Sequence, residues 1–141
     1  VKATLHTDGG ARGNPGPAGI GAVLYDESGA EIDCLSQSLE PTTNNVAEYK
    51  ALIAGLEMAR ERGVTALDVK CDSQLVVSQV KGEWKIKNDR LRMLAAKAEQ
   101  LFYKFRPRSL VHVPREENRR ADELANEAMD AAERQRWLDE S

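Results

Sequence analysis

Three strand-like runs come before the first helical pattern, and that order limits the fold more than any single residue does. Val1 to Asp8 alternates, with Val1, Ala3, Leu5 and Thr7 on one side and Lys2, Thr4 and His6 on the other. The run ends in Leu5-His6-Thr7-Asp8-Gly9-Gly10 and drops into a glycine- and proline-rich loop, Ala11 to Pro17. Gly19 to Tyr25 reads as a second strand whose small residues permit close backbone approach. Asp26-Glu27-Ser28-Gly29 reads as a turn, and Glu31 to Leu39 as a third strand. Consecutive strands joined by such short connections pair antiparallel, so the chain opens with a meander.

Helices and strands alternate after that. Thr42-Thr43-Asn44-Asn45 places capping residues ahead of an apolar stripe of Val46, Tyr49, Leu52, Ile53, Leu56 and Ala59. Glu48 stands three residues after Asn45, as in a capping box. The spacing predicts a helix from Val46 to Arg62 that Gly63 ends. Ala66 to Cys71 reads as a fourth strand, Asp72-Ser73 as the cap of a short helix over 74–80, and Lys81 to Asn88 as a basic loop around Trp84. A helix over 89–104 exits before Pro107, Ser109 to Val113 forms a fifth strand, and 114–118 is a loop. The last helix starts near Asn118 and turns Ala121, Leu124, Ala125 and Ala128 inward. The order βββαβααβα predicts an α/β domain with a mixed five-stranded sheet. No repeat, linker or low-complexity stretch divides residues 1–141, a length suited to a single domain with its own core.

Composition narrows the chemistry. Cys34 and Cys71 have no CxxC or Cys/His spacing, which argues against zinc and a disulfide framework and for reduced thiols in a cytoplasmic protein. No apolar run reaches membrane-spanning length, and Val1-Lys2-Ala3 does not open a signal peptide. The net charge of −3 conceals an uneven distribution. Residues 1–80 hold 6 Lys/Arg against 11 Asp/Glu, residues 81–120 hold 12 against 5, and residues 121–141 hold 2 against 7. Such a basic middle segment supplies either a solvated helix face or a local surface for a polyanion.

Four acids fall on separate elements. If the first, fourth and fifth strands are parallel neighbours, right-handed crossovers bring Asp8 and Asp72 to one sheet edge, which Glu48 and Asp122 reach from their helices. Four oxygen donors without His or Cys suit Mg²⁺ or Mn²⁺. Each acid also has an ordinary reading. Asp8 could start a turn, Glu48 close a capping box, Asp72 cap a helix and Asp122 pair with Arg119.

The contexts of those acids decide between the readings. Thr7-Asp8-Gly9-Gly10 followed by Gly13-Asn14-Pro15-Gly16-Pro17, then Thr42 to Glu48, then Asp72-Ser73-Gln74, then Asn118 to Ala125, taken in this order, resembles type 1 ribonuclease H over essentially the whole chain. The resemblance implies a ribonuclease H-like fold with strand order 3-2-1-4-5. It implies an endonuclease that cuts the RNA strand of RNA–DNA hybrids, with Asp8, Glu48, Asp72 and Asp122 as catalytic metal ligands and the Gly9 carbonyl as an additional one. Two Mg²⁺ ions, with Mn²⁺ as substitute, would leave 5′-phosphate and 3′-hydroxyl ends. Asn14, Asn44, Asn45 and Gln74 match positions that bond bases and sugars in a shallow groove. Thr43 and Asn88 match a pocket for a DNA-strand phosphate. Trp84 matches an aromatic along the DNA sugars, its alternative role being a core anchor for its loop.

The chain also departs from the pattern. Arg115 and Glu116 occupy the flexible-loop region where relatives carry a histidine, His112 lies inside the fifth strand, and Pro41 replaces an arginine beside the phosphate pocket. The resemblance extends to compact members that lack a hybrid-binding domain, some active on double-stranded RNA. It extends further to nuclease portions followed by a phosphatase-like domain in bifunctional proteins. No heptad seam is present, so a monomer is expected. The competing reading is a hybrid-binding domain without catalysis; loss of an acid would favour it, and none is lost.

Overall fold

A computed structural model describes residues 1–141. Three antiparallel strands, β1 (Lys2–Ala11), β2 (Gly16–Asp26) and β3 (Glu31–Thr42), lead into helix α1 (Asn44–Glu61). Strand β4 (Ala66–Cys71), helices α2 (Gln74–Val80) and α3 (Asp89–Phe102), strand β5 (Arg108–His112) and helix α4 (Arg119–Glu140) complete the chain. The sheet order is β3-β2-β1-β4-β5, with β4 parallel to both β1 and β5. The expected element order and sheet order both hold.

The first two strands outrun their sequence signal. Gly9 and Gly10, past the end of the alternating run, and Ala11, expected in the loop, stay in the ladder against Ile20, Gly19 and Ala18. Asp8 therefore sits inside the β1–β2 pair, opposite Gly21, and not at a strand end. Along β4, however, the parallel pairing stops at Thr7 and Cys71. Asp8 is thus the first β1 residue beyond the last β4 partner, which is what a carboxyl-edge site requires.

The two sheet faces are covered differently. Ala3, Leu5, Leu24, Leu67 and Val69 turn toward α1, where Tyr49, Leu52 and Leu56 complete a cluster of 25 buried residues that α2 and α3 extend. On the other face α4 lies so close to β2 that a Cβ at Gly21 would overlap the Ala121 carbonyl, and one at Gly19 would meet Ala128 and the Met129 nitrogen. Val23, Ala121 and Leu124 form the small apolar cluster there. Ser36 and Ser38 of β3 add hydroxyl donors to the Leu124 and Ala128 carbonyls at 2.6 and 2.7 Å.

Local signals at helix starts need three corrections. Helix α1 begins two residues earlier than a capping box on Asn45 implies, because Thr43 is the cap and its hydroxyl accepts from the Val46 N–H at 3.3 Å. Ser73, not Asp72, caps α2. A short 3-10 turn, Arg115–Glu117, interrupts the loop ahead of α4. No helix is long and apolar enough to cross a membrane.

Candidate active site

The site opens where β4 ends and β1 continues. Past the last β4 partner, the β1 N–H groups that face away from β2 lack a strand to bond, and α1 supplies the acceptors. Gly9 N–H donates to Glu48 Oε1 at 2.7 Å, and Ala11 N–H donates to Asn44 Oδ1 at 3.2 Å. Glycine at position 9 is required for this approach, since a Cβ there would overlap the Ala47 carbonyl. Glu48 is buried and serves this bond instead of closing a capping box.

Asp8, Glu48, Asp72 and Asp122 line one open pocket of about 500 Å³, together with Gly9, Gly10, Asn44, Gln74 and Arg115. Asp122 lines this pocket from α4, facing Asp8 on β1, and makes no ion pair with Arg119. Ligand atoms of Glu48, Asp72 and the buried Cys71 thiol lie within 4.8 Å of one another. Burial, followed by the neighbouring Glu48 and Asp72 charges, holds the Asp8 carboxyl far above the ordinary carboxylate range. Burial and then Asp72 raise Glu48 as well, while the Gly9 N–H, Asp8 and the Arg115 charge act in the opposite direction. Carboxyls crowded and desolvated in this way need a cation to ionise together, and a hard divalent ion fits the four-carboxylate donor set. The Cys71 thiol, also raised by burial, stays a neutral neighbour.

A second cleft of about 330 Å³ adjoins the first through Asn44, which lines both. Asn14, Thr43, Asn45, Asn88 and Arg90 line it. Thr43 caps α1 and Asn88 caps α3, so two helix N-termini face one cavity, an arrangement that favours an anion. Asn14 Oδ1 accepts from the Asn44 N–H at 3.2 Å and ties the β1–β2 loop to α1. Gln74 lines the acidic pocket with its amide nitrogen donating to Ser78 at 2.7 Å. Trp84 is half exposed and is not among the buried core residues.

Other candidates fall outside. Glu116 lies in the exposed 3-10 turn and lines neither cavity, and His112 is exposed on β5. Pro41 belongs to a separate groove between β3 and the end of α4. Sequence reasoning missed Arg90, which puts a cation in the second cleft, and Asn126 and Met129, which wall the first from α4. Asn126 carries a readable signal, because it follows Asp122 by four residues and shares its helix face.

A meander continued by parallel strands, with carboxylates from β1, α1, α4 and the end of β4 meeting at the carboxyl edge, defines a ribonuclease H-like domain. The sequence pattern of the reverse transcriptase-like family matches residues 6–128, and the chain belongs to that ribonuclease H-like family. The bifunctional protein Rv2228c of Mycobacterium tuberculosis is 47% identical over 133 residues, which are 94% of this chain and 36% of the relative. The solved N-terminal RNase H domain of that protein superposes with a TM-score of 0.92, covering 96% of this chain and 98% of that one. Ribonuclease HI of Halobacterium salinarum is 45% identical across 89% of this chain and 63% of its own length, and its crystal structure gives a TM-score of 0.90. LC11-RNase H1, solved in complex with an RNA/DNA hybrid, is 46% identical with a TM-score of 0.85, covering 92% of this chain and 98% of that one. The chain thus spans about a third of the mycobacterial relative and under two thirds of the halobacterial one.

Proposed function

We infer that the chain is a metal-dependent endoribonuclease that hydrolyses the RNA strand of RNA–DNA hybrids and leaves 5′-phosphate and 3′-hydroxyl ends. The observation that carries this reading is the convergence of Asp8, Glu48, Asp72 and Asp122 from four elements on one open pocket. The hybrid complex of the similar LC11-RNase H1 supports the substrate class.

The four carboxylates, with the Gly9 carbonyl beside them, would hold two Mg²⁺ ions, or Mn²⁺ in their place. When bound, such a pair activates water for in-line attack on the scissile phosphate and stabilises the departing 3′ oxygen. The protein's own share is placement. Glu48 is fixed by the Gly9 N–H, and Asp8 is fixed by the rigid ladder on both sides of it. Asn14, Asn44, Asn45 and Gln74 line the path between the cavities and offer amide groups to bases and 2′-hydroxyls of a shallow groove. The cleft at Thr43 and Asn88 receives a phosphate of the DNA strand, and Arg90 supplies there the charge that Pro41 lacks. Trp84, exposed in its basic loop, packs along sugars of the same strand. Arg115 is the cation at the pocket mouth, placed to meet the cleaved phosphate where relatives use a histidine.

End-labelled RNA–DNA hybrid, double-stranded RNA, single-stranded RNA and DNA, each with Mg²⁺ or Mn²⁺, test the reading. The hybrid's RNA strand is cut only with metal, and Asp8→Asn reduces the rate to background. A hybrid that binds yet stays intact with either metal would overturn the catalytic reading and leave a binding domain.

A further inference from the structure

Strand β1 and helix α4 run side by side in matching steps. On β1, His6, Asp8 and Arg12 follow one another; on α4, Asn118, Asp122 and Asn126 recur every four residues on one face. His6 bonds Asn118, Asp8 and Asp122 line the same pocket, and Arg12 bonds Asn126. Two strand residues advance about 6.6 Å and four helix residues about 6 Å, so the first two pairs keep step. The third does so only because the long Arg12 side chain reaches back.

The hydrogen bonds fix direction as well as distance. Asn118 is 1% exposed. Its Nδ2 donates to the Thr7 carbonyl at 2.9 Å, which leaves Oδ1 as the acceptor facing His6 Nδ1 at 3.0 Å. His6 must therefore carry its proton on Nδ1. The imidazole also stands edge-on to Tyr25 with ring centres 5.5 Å apart. One turn beyond Asp122, Asn126 Nδ2 donates to the Asp122 carbonyl at 2.9 Å, and its Oδ1 accepts from the Arg12 guanidinium at 3.2 Å. The same guanidinium is held by Asp130 and Glu133. Neither His6 nor Arg12 lines the acidic pocket.

We propose that His6 and Arg12 are positioning residues that set the Asp122 carboxylate in the pocket it shares with Asp8, acting through Asn118 on one side and Asn126 on the other. The strand that carries one of the acids thereby grips the helix that carries another, before and after Asp122. A loose α4 start would let Asp122 drift from Asp8 while the sheet stayed intact. The proposal rests on the four acids binding metal, and its test separates that reading from the grip itself.

Mn²⁺ binding to the full chain is measured calorimetrically without nucleic acid, beside hybrid cleavage at varied Mg²⁺. His6→Phe keeps an aromatic against Tyr25 and removes the donor; His6→Asn returns a donor at the position of Nδ1. Arg12→Met acts at the surface and leaves the core intact, so it serves where His6→Phe folds poorly. His6→Phe and Arg12→Met each weaken Mn²⁺ binding about tenfold and lower kcat similarly. The KM for hybrid stays within about twofold, and His6→Asn recovers most of the loss. Mn²⁺ affinity and kcat unchanged in both variants, with only the melting temperature lowered, would reduce these residues to fold anchors and overturn the proposal. If the wild type cleaves nothing, the nuclease reading fails, and the Mn²⁺ series still decides the grip.

Discussion

The α1 face and the α4 face of the sheet solve the same task by opposite means. Toward α1 the sheet presents leucines and valines, and the helix answers with Tyr49, Leu52 and Leu56 in a cluster of 25 buried residues. Toward α4 it presents Gly19, Gly21 and two serines, and only three buried residues form an apolar cluster. The first face holds by volume removed from water, the second by backbone proximity and hydrogen bonds. Glu48 arrives on the first and Asp122 on the second. Side chains on the α1 face can repack around a change, whereas at Gly19 and Gly21 the α4 backbone lies directly against β2, so position there is set by contact of main chains.

The sharpest way to break this contrast is a side chain at Gly21. Gly21→Val would drive into the Ala121 carbonyl and the Ala125 nitrogen, and the expected outcome is loss of cleavage with loss of cooperative unfolding, read by activity and urea titration. If the variant folds with α4 in place and full activity, the close-approach account is wrong. On the opposite face, Leu56→Ala costs about 2–5 kcal/mol in urea unfolding yet keeps kcat near wild type below its midpoint.

A third change sits where the faces meet. With Asp8 and Glu48 both raised, the folded chain keeps protons that the unfolded chain releases above pH about 4, so metal-free stability falls as pH climbs from there. Asp8→Asn flattens that fall and stabilises the metal-free chain at pH 8 by about 1–2 kcal/mol, while removing activity. Saturating Mn²⁺ reverses the ranking, because the wild type binds it more tightly. A metal-free wild type whose melting temperature rises between pH 5 and 8 would contradict the assigned crowding. The smallest effect belongs to the β3 hydroxyls. Ser38→Ala costs about 1 kcal/mol and leaves Mg²⁺ dependence unchanged, since its partner carbonyl at Ala128 lies beyond Asp122 on the helix.

The same contrast explains what the sequence discloses. Period-2 and period-3.6 patterns come from apolar side chains, so β1, β4, α1 and α3 are legible from the order of residues alone. The α4 face is built from residues that carry no such signal. Gly9 and Gly10 look like the start of a turn, yet they lie in the ladder because α1 and α4 need their missing side chains. Glu48 looks like a capping-box residue because that signature is local, while its partner at Gly9 is 39 residues away. The four acids stand out through their surrounding motifs and not through spacing alone. Arg90 and Arg12 give no sign of their roles for a plainer reason: an arginine's use depends on where a long side chain comes to rest.

The unequal lengths of β1 and β4 have one more consequence. The amides of Gly9 and Ala11 are held by Glu48 and Asn44 instead of by a neighbouring strand. Their exchange with deuterium therefore reports the lifting of the first turn of α1, while Leu5 in the same strand exchanges only when the sheet itself opens. Two backbone protons become a clock for the seating of Glu48, readable without substrate and without turnover.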